Sequence, residues 1–216
     1  AHRTWLHWLH LATCFLERGE LAPATHALNE SMKLRPSLHA ARHLAVTAPD
    51  KPTILARYWQ AWELFEKTTD AQLLADPAAL RAGVDFGREF AAWLTATETW
   101  PDLDQFLRRA QASRAGPTLM QKDRVLHAQA ALAVHQNQSQ AAMAILRSHC
   151  FATYGTDRQK LLNLWLAAHL QEKQAKVGNR NLTRLEIAHE RTRIGCDGDQ
   201  SAGLTAGANC LSGPPN

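Results

Sequence analysis

WLHWLHLATCFLERGELAPATHALNESMKLRP, residues 5–36, is the stretch that decides the fold. Two apolar periodic runs meet in it at the turn Arg18-Gly19-Glu20. Apolar or small residues recur at helical spacing in both runs. They are Trp8, Leu11, Ala12 and Phe15 in the first run and Ala24, Leu28, Ser31 and Leu34 in the second. Gly19 permits a left-handed cap that ends the first helix, and Pro36, which has no N–H, ends the second. The stretch therefore predicts two helices joined by a tight turn.

The order of these residues resembles the signature of the tetratricopeptide-repeat (TPR) family. The matching positions are the large residue Trp8, then Leu11 and Ala12, Phe15, Gly19, the small Ala24, the apolar Leu28, the small Ser31 and Pro36. The resemblance implies a helix–turn–helix unit that stacks on its neighbours and binds other proteins. In this family the first helix of a unit lines the concave face. The resemblance therefore implies a binding surface at Leu6, Leu9, Thr13, Leu16 and Glu17.

Length and composition indicate a globular helical protein. The 216 residues are 45% hydrophobic and 20% charged, which suffices for a core and argues against wholesale disorder. The dominant residue types favour helix, and β-alternation is hard to find. The net charge of +4 is spread along the chain rather than clustered beside aromatic platforms, so a nucleic-acid partner is not expected. No apolar run is long enough to span a bilayer, so no membrane partner is expected either.

The remaining chain repeats the helical hairpin without the TPR signature. We expect a short helix or degenerate repeat over 37–47, and further hairpins over 78–112 and 121–150. From residue 195 the composition turns to Gly, Ser, Ala and Pro, which cannot continue a packed helix. We therefore predict an all-α fold of stacked antiparallel helical hairpins, a short TPR-like solenoid, over 1–194. An irregular Gly/Pro-rich tail or linker is predicted over 195–216.

Aromatic residues and glycines indicate where helices pack. An aromatic stripe runs through Tyr58, Trp59, Trp62 and Phe65. We interpret it as core rather than as an exposed binding groove, because aromatic residues at helical spacing are usually buried. Gly83 and Gly87, which share one helical face, would let a neighbouring helix approach closely. The carboxylates Asp85, Glu89 and Glu98 are interpreted as solvated groups.

No catalytic, metal or cofactor site is predicted. The chain has no P-loop, G-x-G-x-x-G, G-x-S-x-G or kinase motif, so the sequence favours a non-enzymatic role without a cofactor. His39 and His43 could chelate a metal from one helix face, but no acidic ligand completes the motif. Asp197–Asp199 begins like a calcium loop and lacks its later ligands, so we interpret it as a polar turn. Cys196 and Cys210 have no C-x-x-C companion and are expected to be free thiols.

The leading hypothesis is a protein–protein interaction or scaffolding module that binds a protein or peptide partner. The chain opens inside a helical pattern without an initiator Met, so we expect it to be a piece of a longer protein. The alternative is the helical regulatory or substrate-presenting region of an enzyme whose catalytic domain lies outside the chain, by analogy with TPR-bearing glycosyltransferases. A nucleic-acid-binding solenoid is the third option. Apolar groups at the start of an array also allow self-association, and the sparse cysteines indicate the cytoplasm.

Overall fold

The structure, a computed structural model, describes residues 4–148 and 164–173. These residues form α-helices joined by short connections, and no β-strand occurs among them. The helices are α1 (Trp5–Glu17), α2 (Leu21–Leu34), α3 (Leu38–Val46), α4 (Lys51–Glu66), α5 (Asp70–Ala75), α6 (Pro77–Ala96), α7 (Trp100–Ala112), α8 (Gly116–Leu119), α9 (Asp123–His135) and α10 (Ser139–Ser148). Helical residues 164–173 follow and are labelled α11. The predicted all-α fold is confirmed, whereas stacking of the hairpins into a TPR-like solenoid is not.

The chain divides into two compact units. Unit 1 comprises Ala1–Phe90 together with Ser113–Ala115, and unit 2 comprises Ala91–Ala112 together with Gly116–Asn216. The predicted boundary between a helical domain over 1–194 and a tail over 195–216 lies outside the described residues and stays a prediction.

Helices α1 and α2 form the hairpin that the sequence predicts. Gly19 has φ +74°, the left-handed conformation that a residue without Cβ adopts at low cost. The N–H of Gly19 donates to the carbonyl of Leu16 at 3.0 Å, and the N–H of Glu20 donates to that of Phe15 at 2.9 Å. These two bonds form a Schellman cap. Gly19 therefore ends α1 and reverses the chain, as predicted.

The packing face of α2 is predicted correctly except at its last residue. Ala24, Leu28 and Ser31 are buried, but Leu34 is 58% exposed. The Ser31 hydroxyl donates to the Trp5 carbonyl at 2.9 Å, which satisfies a buried polar group. Leu34 was expected on the same face by periodicity alone, but it is the last residue of α2, where the chain turns toward α3. The prediction for Leu34 is therefore wrong.

The turns after α6 and α9 use the same cap without glycine. Glu98 has φ +54° and Asn137 has φ +57°. After α6, the N–H of Thr99 donates to the carbonyl of Leu94 at 3.0 Å, and the turn after α9 closes in the same way. Asn tolerates this conformation better than Glu does. A tight reversal between helices therefore does not depend on the signature glycine at position 19.

We expect Glu98→Gly to raise the free energy of unfolding by about 0.5–1 kcal/mol, because glycine relieves the left-handed strain at this cap. The reciprocal change, Gly19→Ala, should lower it by a similar amount. A Cβ at Gly19 would meet nothing within 4 Å, so its cost reflects the backbone conformation alone. Chemical denaturation followed by circular dichroism measures both. A less stable Glu98→Gly variant would contradict the conformational argument.

An aromatic cluster forms the centre of unit 1. Tyr58, Trp62 and Phe65 of α4 are buried, as are Phe86 and Phe90 of α6. Tyr58 stacks on Phe90 with ring centroids 5.0 Å apart, and Trp62 lies 5.2 Å from Phe65. The interpretation of the stripe as core is confirmed for Tyr58, Trp62 and Phe65, while Trp59 is half-buried. Burial of these rings is the main apolar stabilisation available to α4 and α6.

The predicted close approach at Gly83 is also confirmed. A Cβ at this position would lie 2.1 Å from the Phe65 Cε2 atom, so only glycine lets α6 rest against that ring. One core cluster of unit 2 is instead mainly aliphatic and includes Trp165 of α11. Its members are Leu126, Ala130, Ala133, Ala142, Met143, Leu146, Trp165, Leu166 and Ala168.

Candidate functional site

The surface predicted from the sequence lies on α1, but it is only partly exposed. Leu6 is 43% exposed and Glu17 is exposed, while Leu9, Thr13 and Leu16 are half-buried. Leu9 packs against the α1–α3 core cluster. The Thr13 hydroxyl donates to the Leu9 carbonyl at 3.1 Å, so it is engaged within its own helix. Of the five residues, Leu6 and Glu17 offer most of the free surface.

The two candidate metal-binding histidines do not assemble a metal site in the described part of the chain. His43 is half-buried on α3, and His39 is exposed. Burial, followed by the adjacent Arg42 guanidinium, holds the pKa of His43 below its ordinary value. Among the described residues no three His, Cys, Asp or Glu side chains converge on a common point. Cys196, Cys210 and Asp197–Asp199 lie outside the described residues.

Glu89, interpreted from the sequence as solvated, is instead part of a structural polar cluster. The Glu89 Oε2 atom lies 2.5 Å from Arg42 Nη2. The Glu89 Oε1 atom accepts a hydrogen bond from the Tyr58 hydroxyl at 3.2 Å. Burial, and then the neighbouring carboxylate, raises the pKa of Tyr58 well above its usual range. The sequence interpretation of Glu89 is therefore wrong. The cluster joins α3, α4 and α6, and its groups satisfy one another, as partly buried charges must.

Unit 2 contains a cleft of about 670 Å³ between α7, α8 and α9. The residues that line it are Leu107, Arg108, Gln111, Gly116, Pro117, Met120, Gln121, Leu126 and Gln129. Leu107 and Leu126 are buried and form an apolar floor. Gln111 and Gln121 are exposed and place carboxamide groups at the rim. The volume lies within the range of small-molecule and peptide sites.

Gly116 determines how closely α8 approaches the end of α7. A Cβ at this residue would lie 2.5 Å from the Gln111 carbonyl oxygen and 3.0 Å from that of Ala110. The first contact is too short for a real Cβ atom and the second is tight, and both are to backbone, so a larger residue would force α8 away from α7. Leu119 anchors the other end of α8, where it is fully buried. The chain from α7 to α9 therefore stays close-packed while leaving the cleft beside it.

The chemistry of the cleft fits recognition of a polypeptide. Carboxamides both donate and accept hydrogen bonds, so Gln111 and Gln121 match the N–H and C=O groups of a peptide backbone. Arg108 forms an ion pair with Asp104 one turn earlier on α7, which lowers its availability to a ligand. Apolar side chains of a partner could contact Leu107 and Leu126 below.

The sequence did not indicate this cleft. No helix was predicted between the hairpins over 78–112 and 121–150, whereas Gly116–Leu119 forms the short helix α8. Four residues are too few for helical periodicity to be detected. The only signal available was the spacing of Gln111, Gln121 and Gln129 around the Gly-Pro pair, and surface glutamines are common on helices of every function.

One protein-family model matches the chain, over residues 88–187: the transcriptional regulator SIX1, N-terminal SD domain. The match covers somewhat less than half of the chain and includes every residue that lines the unit 2 cleft. Comparisons with curated proteins and with solved structures give no match. In its matched part, the chain is therefore similar to a domain of a transcriptional regulator.

This match overturns the assignment to the TPR family and the functions that followed from it. A cytoplasmic TPR scaffold and the helical region of a glycosyltransferase are both contradicted by similarity to a transcriptional-regulator domain. The physical reason lies in the hairpin. Any tight antiparallel helix pair uses a capping residue at the turn, a large residue in the interface, and small residues where the helices come closest. The turn after α6 closes with the same hydrogen-bond pattern at a glutamate.

Among the described residues, no helix is both long and apolar enough to cross a bilayer.

Proposed function

We propose that residues 88–187 form a protein-binding domain of a transcriptional regulator. The single observation that carries the proposal is the match of these residues to the SIX1 N-terminal SD domain. The unit 2 cleft lies wholly inside the matched range, so it is the first candidate for the surface that binds a protein partner.

The composition of the cleft supports a peptide segment as its occupant. The apolar residues of the lining that still meet solvent, Pro117 and Met120, gain free energy when apolar side chains of a partner cover them. The rim carboxamides of Gln111 and Gln121 would form hydrogen bonds to the partner backbone, and such groups fix orientation more than they add affinity. The site therefore suits an apolar segment that presents some free backbone groups.

We also propose the α1 surface, Leu6, Leu9, Thr13, Leu16 and Glu17, as a separate contact of unit 1. The exposure of Leu6 supports it, because a large apolar side chain in water gains from being covered. Self-association through this surface remains one form that such a contact would take.

A transcriptional regulator acts where DNA is held. The proposal therefore implies a nuclear location rather than the cytoplasm that cysteine content indicated. The partner in the cleft is a protein.

A reporter assay tests the proposed function. The full chain is fused to an unrelated DNA-binding domain, and transcription from a reporter that carries its sites is measured in cells of the encoding organism. We expect the fusion to change reporter output. Gln111→Glu combined with Gln121→Glu should return output toward that of the DNA-binding domain alone, because two carboxylates cannot donate the hydrogen bonds of the amides.

The matched control is Gln105→Glu combined with Gln140→Glu. Both residues are exposed on helices of unit 2 and lie outside the cleft lining, and the charge change is identical. The control should behave as the unmodified chain does. Leu6→Glu, tested alongside, reports on the α1 surface. A fused chain that leaves transcription unchanged would refute the regulatory proposal, whereas equal effects of variant and control would remove the cleft from it.

A further inference from the structure

Unit 1 contains a second cleft, outside the residues that resemble the transcriptional-regulator domain. It encloses about 530 Å³ between α2, α3 and α4. Helices α2 and α4 each pack against α3, and α3, with nine residues, is much shorter than either. Leu44 of α3, Met32 of α2 and Pro36, which follows α2, are the apolar residues of its lining. The cleft is therefore a consequence of a short helix packed between two longer ones.

The charged groups of this cleft are not balanced. Lys33 Nζ lies 2.6 Å from Glu30 Oε1, so these two charges compensate each other. Hydrogen bonding to Lys33 accordingly lowers the pKa of Glu30. Arg57 Nη1 donates a hydrogen bond to Gln60 Oε1 at 3.0 Å. Among the residues that the structure describes, no carboxylate pairs with Arg57. The lining therefore carries one uncompensated guanidinium.

Two carboxamides stand beside that guanidinium. Asn29 of α2 is half-buried. Its side chain has no hydrogen-bond partner among the residues that the structure describes. Gln60 of α4 is exposed and uses its oxygen for Arg57, which leaves its NH₂ group to donate. Carboxamides match both polar groups of a peptide backbone, and a guanidinium has five N–H donors in a geometry that matches a carboxylate.

From this combination we propose that the unit 1 cleft, defined by Asn29, Met32, Leu44, Arg57 and Gln60, binds an acidic peptide segment. A carboxylate of the ligand pairs with Arg57, its backbone bonds to the two carboxamides, and an apolar side chain covers Met32 beside the buried Leu44. Charge complementarity selects the occupant. A nucleic-acid backbone would need several uncompensated cations, whereas this lining has one and also holds Glu30.

Fluorescence anisotropy with labelled peptides and the full chain tests the proposal. The probe is a fluorescein-labelled hexapeptide that alternates Asp and Leu, compared with an isosteric probe that alternates Asn and Leu. We expect saturable binding of the acidic probe with a Kd below about 1 mM. The Asn probe should bind about tenfold more weakly or worse, because it lacks the charge-assisted pair with Arg57. Raising the salt concentration should weaken only the acidic probe.

Variants identify the residues responsible. Arg57→Gln should weaken the acidic probe by about tenfold or more, and Asn29→Asp, which adds a negative charge at constant size, should weaken it as well. Arg81→Gln is the matched control, since Arg81 is an exposed arginine of unit 1 on α6 and lies outside the cleft. The control should leave affinity unchanged, and circular dichroism verifies that all three variants fold.

Several results would overturn the assignment. Unaltered affinity of the folded Arg57→Gln variant would exclude this guanidinium. Equal binding of the Asp and Asn probes would exclude charge recognition. Tighter binding of a labelled oligothymidylate than of the acidic peptide would assign the cleft to nucleic acid instead.

Discussion

Replacing Trp165 by alanine should lower the free energy of unfolding by about 3–5 kcal/mol, the range for removing a buried aromatic side chain. Trp165 is 1% exposed and belongs to a core cluster of unit 2. Trp62 is fully buried in unit 1, and Trp62→Ala should have a cost of similar size. Because each ring belongs to a different compact unit, the two variants should weaken different parts of the chain.

Amide hydrogen exchange distinguishes the two effects. Trp165→Ala should accelerate exchange in α9 and α10, and Trp62→Ala should accelerate it in α4. Site-resolved exchange is needed because two compact units need not unfold in one transition. Acceleration of the same amides by both variants would show instead that the units unfold together.

Substitution by phenylalanine provides a sharper comparison at the same two positions. The Trp62 indole N–H donates to Glu66 Oε1 at 2.7 Å, whereas the buried Trp165 indole N–H has no acceptor among the described residues. Trp62→Phe loses a hydrogen bond, while Trp165→Phe removes an unsatisfied buried donor and its desolvation cost. We therefore expect Trp165→Phe to be the less destabilising change, by about 1 kcal/mol. The opposite order would indicate that the Trp165 N–H is satisfied.

Local sequence signals predict helices and caps because their causes are local. Gly19 ends α1 with the left-handed φ that the sequence indicated, and the aromatic stripe of α4 is buried as its spacing implied. Glu98 adopts the same backbone conformation, but glutamate carries no sequence signal for it. The prediction therefore depended on residue types that favour one conformation strongly.

Long-range pairing could not be predicted in the same way. Glu89 meets Arg42 and Tyr58 only because α3, α4 and α6 come together in the folded unit. Periodicity identifies an apolar face, but it does not identify which distant helix covers that face. Both clefts share this origin, since each is lined by residues of three helices. In the sequence, the glutamines and the asparagine of these clefts look like ordinary surface residues. Only the packing of the helices brings them together.

Gly83→Ala should destabilise unit 1 although alanine is the better helix former. The new Cβ would lie 2.1, 2.4 and 2.5 Å from three ring atoms of Phe65, so either the ring or α6 must move. Phe65 is itself buried against Trp62, which leaves the ring little room. Overpacking of this kind costs about 1–3 kcal/mol, and the intrinsic gain of about 1 kcal/mol from replacing glycine in a helix offsets only part of it.

A double-mutant cycle with Phe65→Leu tests this cause directly. Leucine removes ring atoms that the new Cβ would strike, so Gly83→Ala should cost less in the Phe65→Leu background than in the natural chain. We expect a coupling free energy of about 1 kcal/mol or more in the favourable direction, measured by chemical denaturation of the four proteins. Strict additivity would mean that the alanine acts elsewhere on α6. A stabilised single variant would mean that helix propensity outweighs the contact, because the Phe65 ring can move aside without loss of packing.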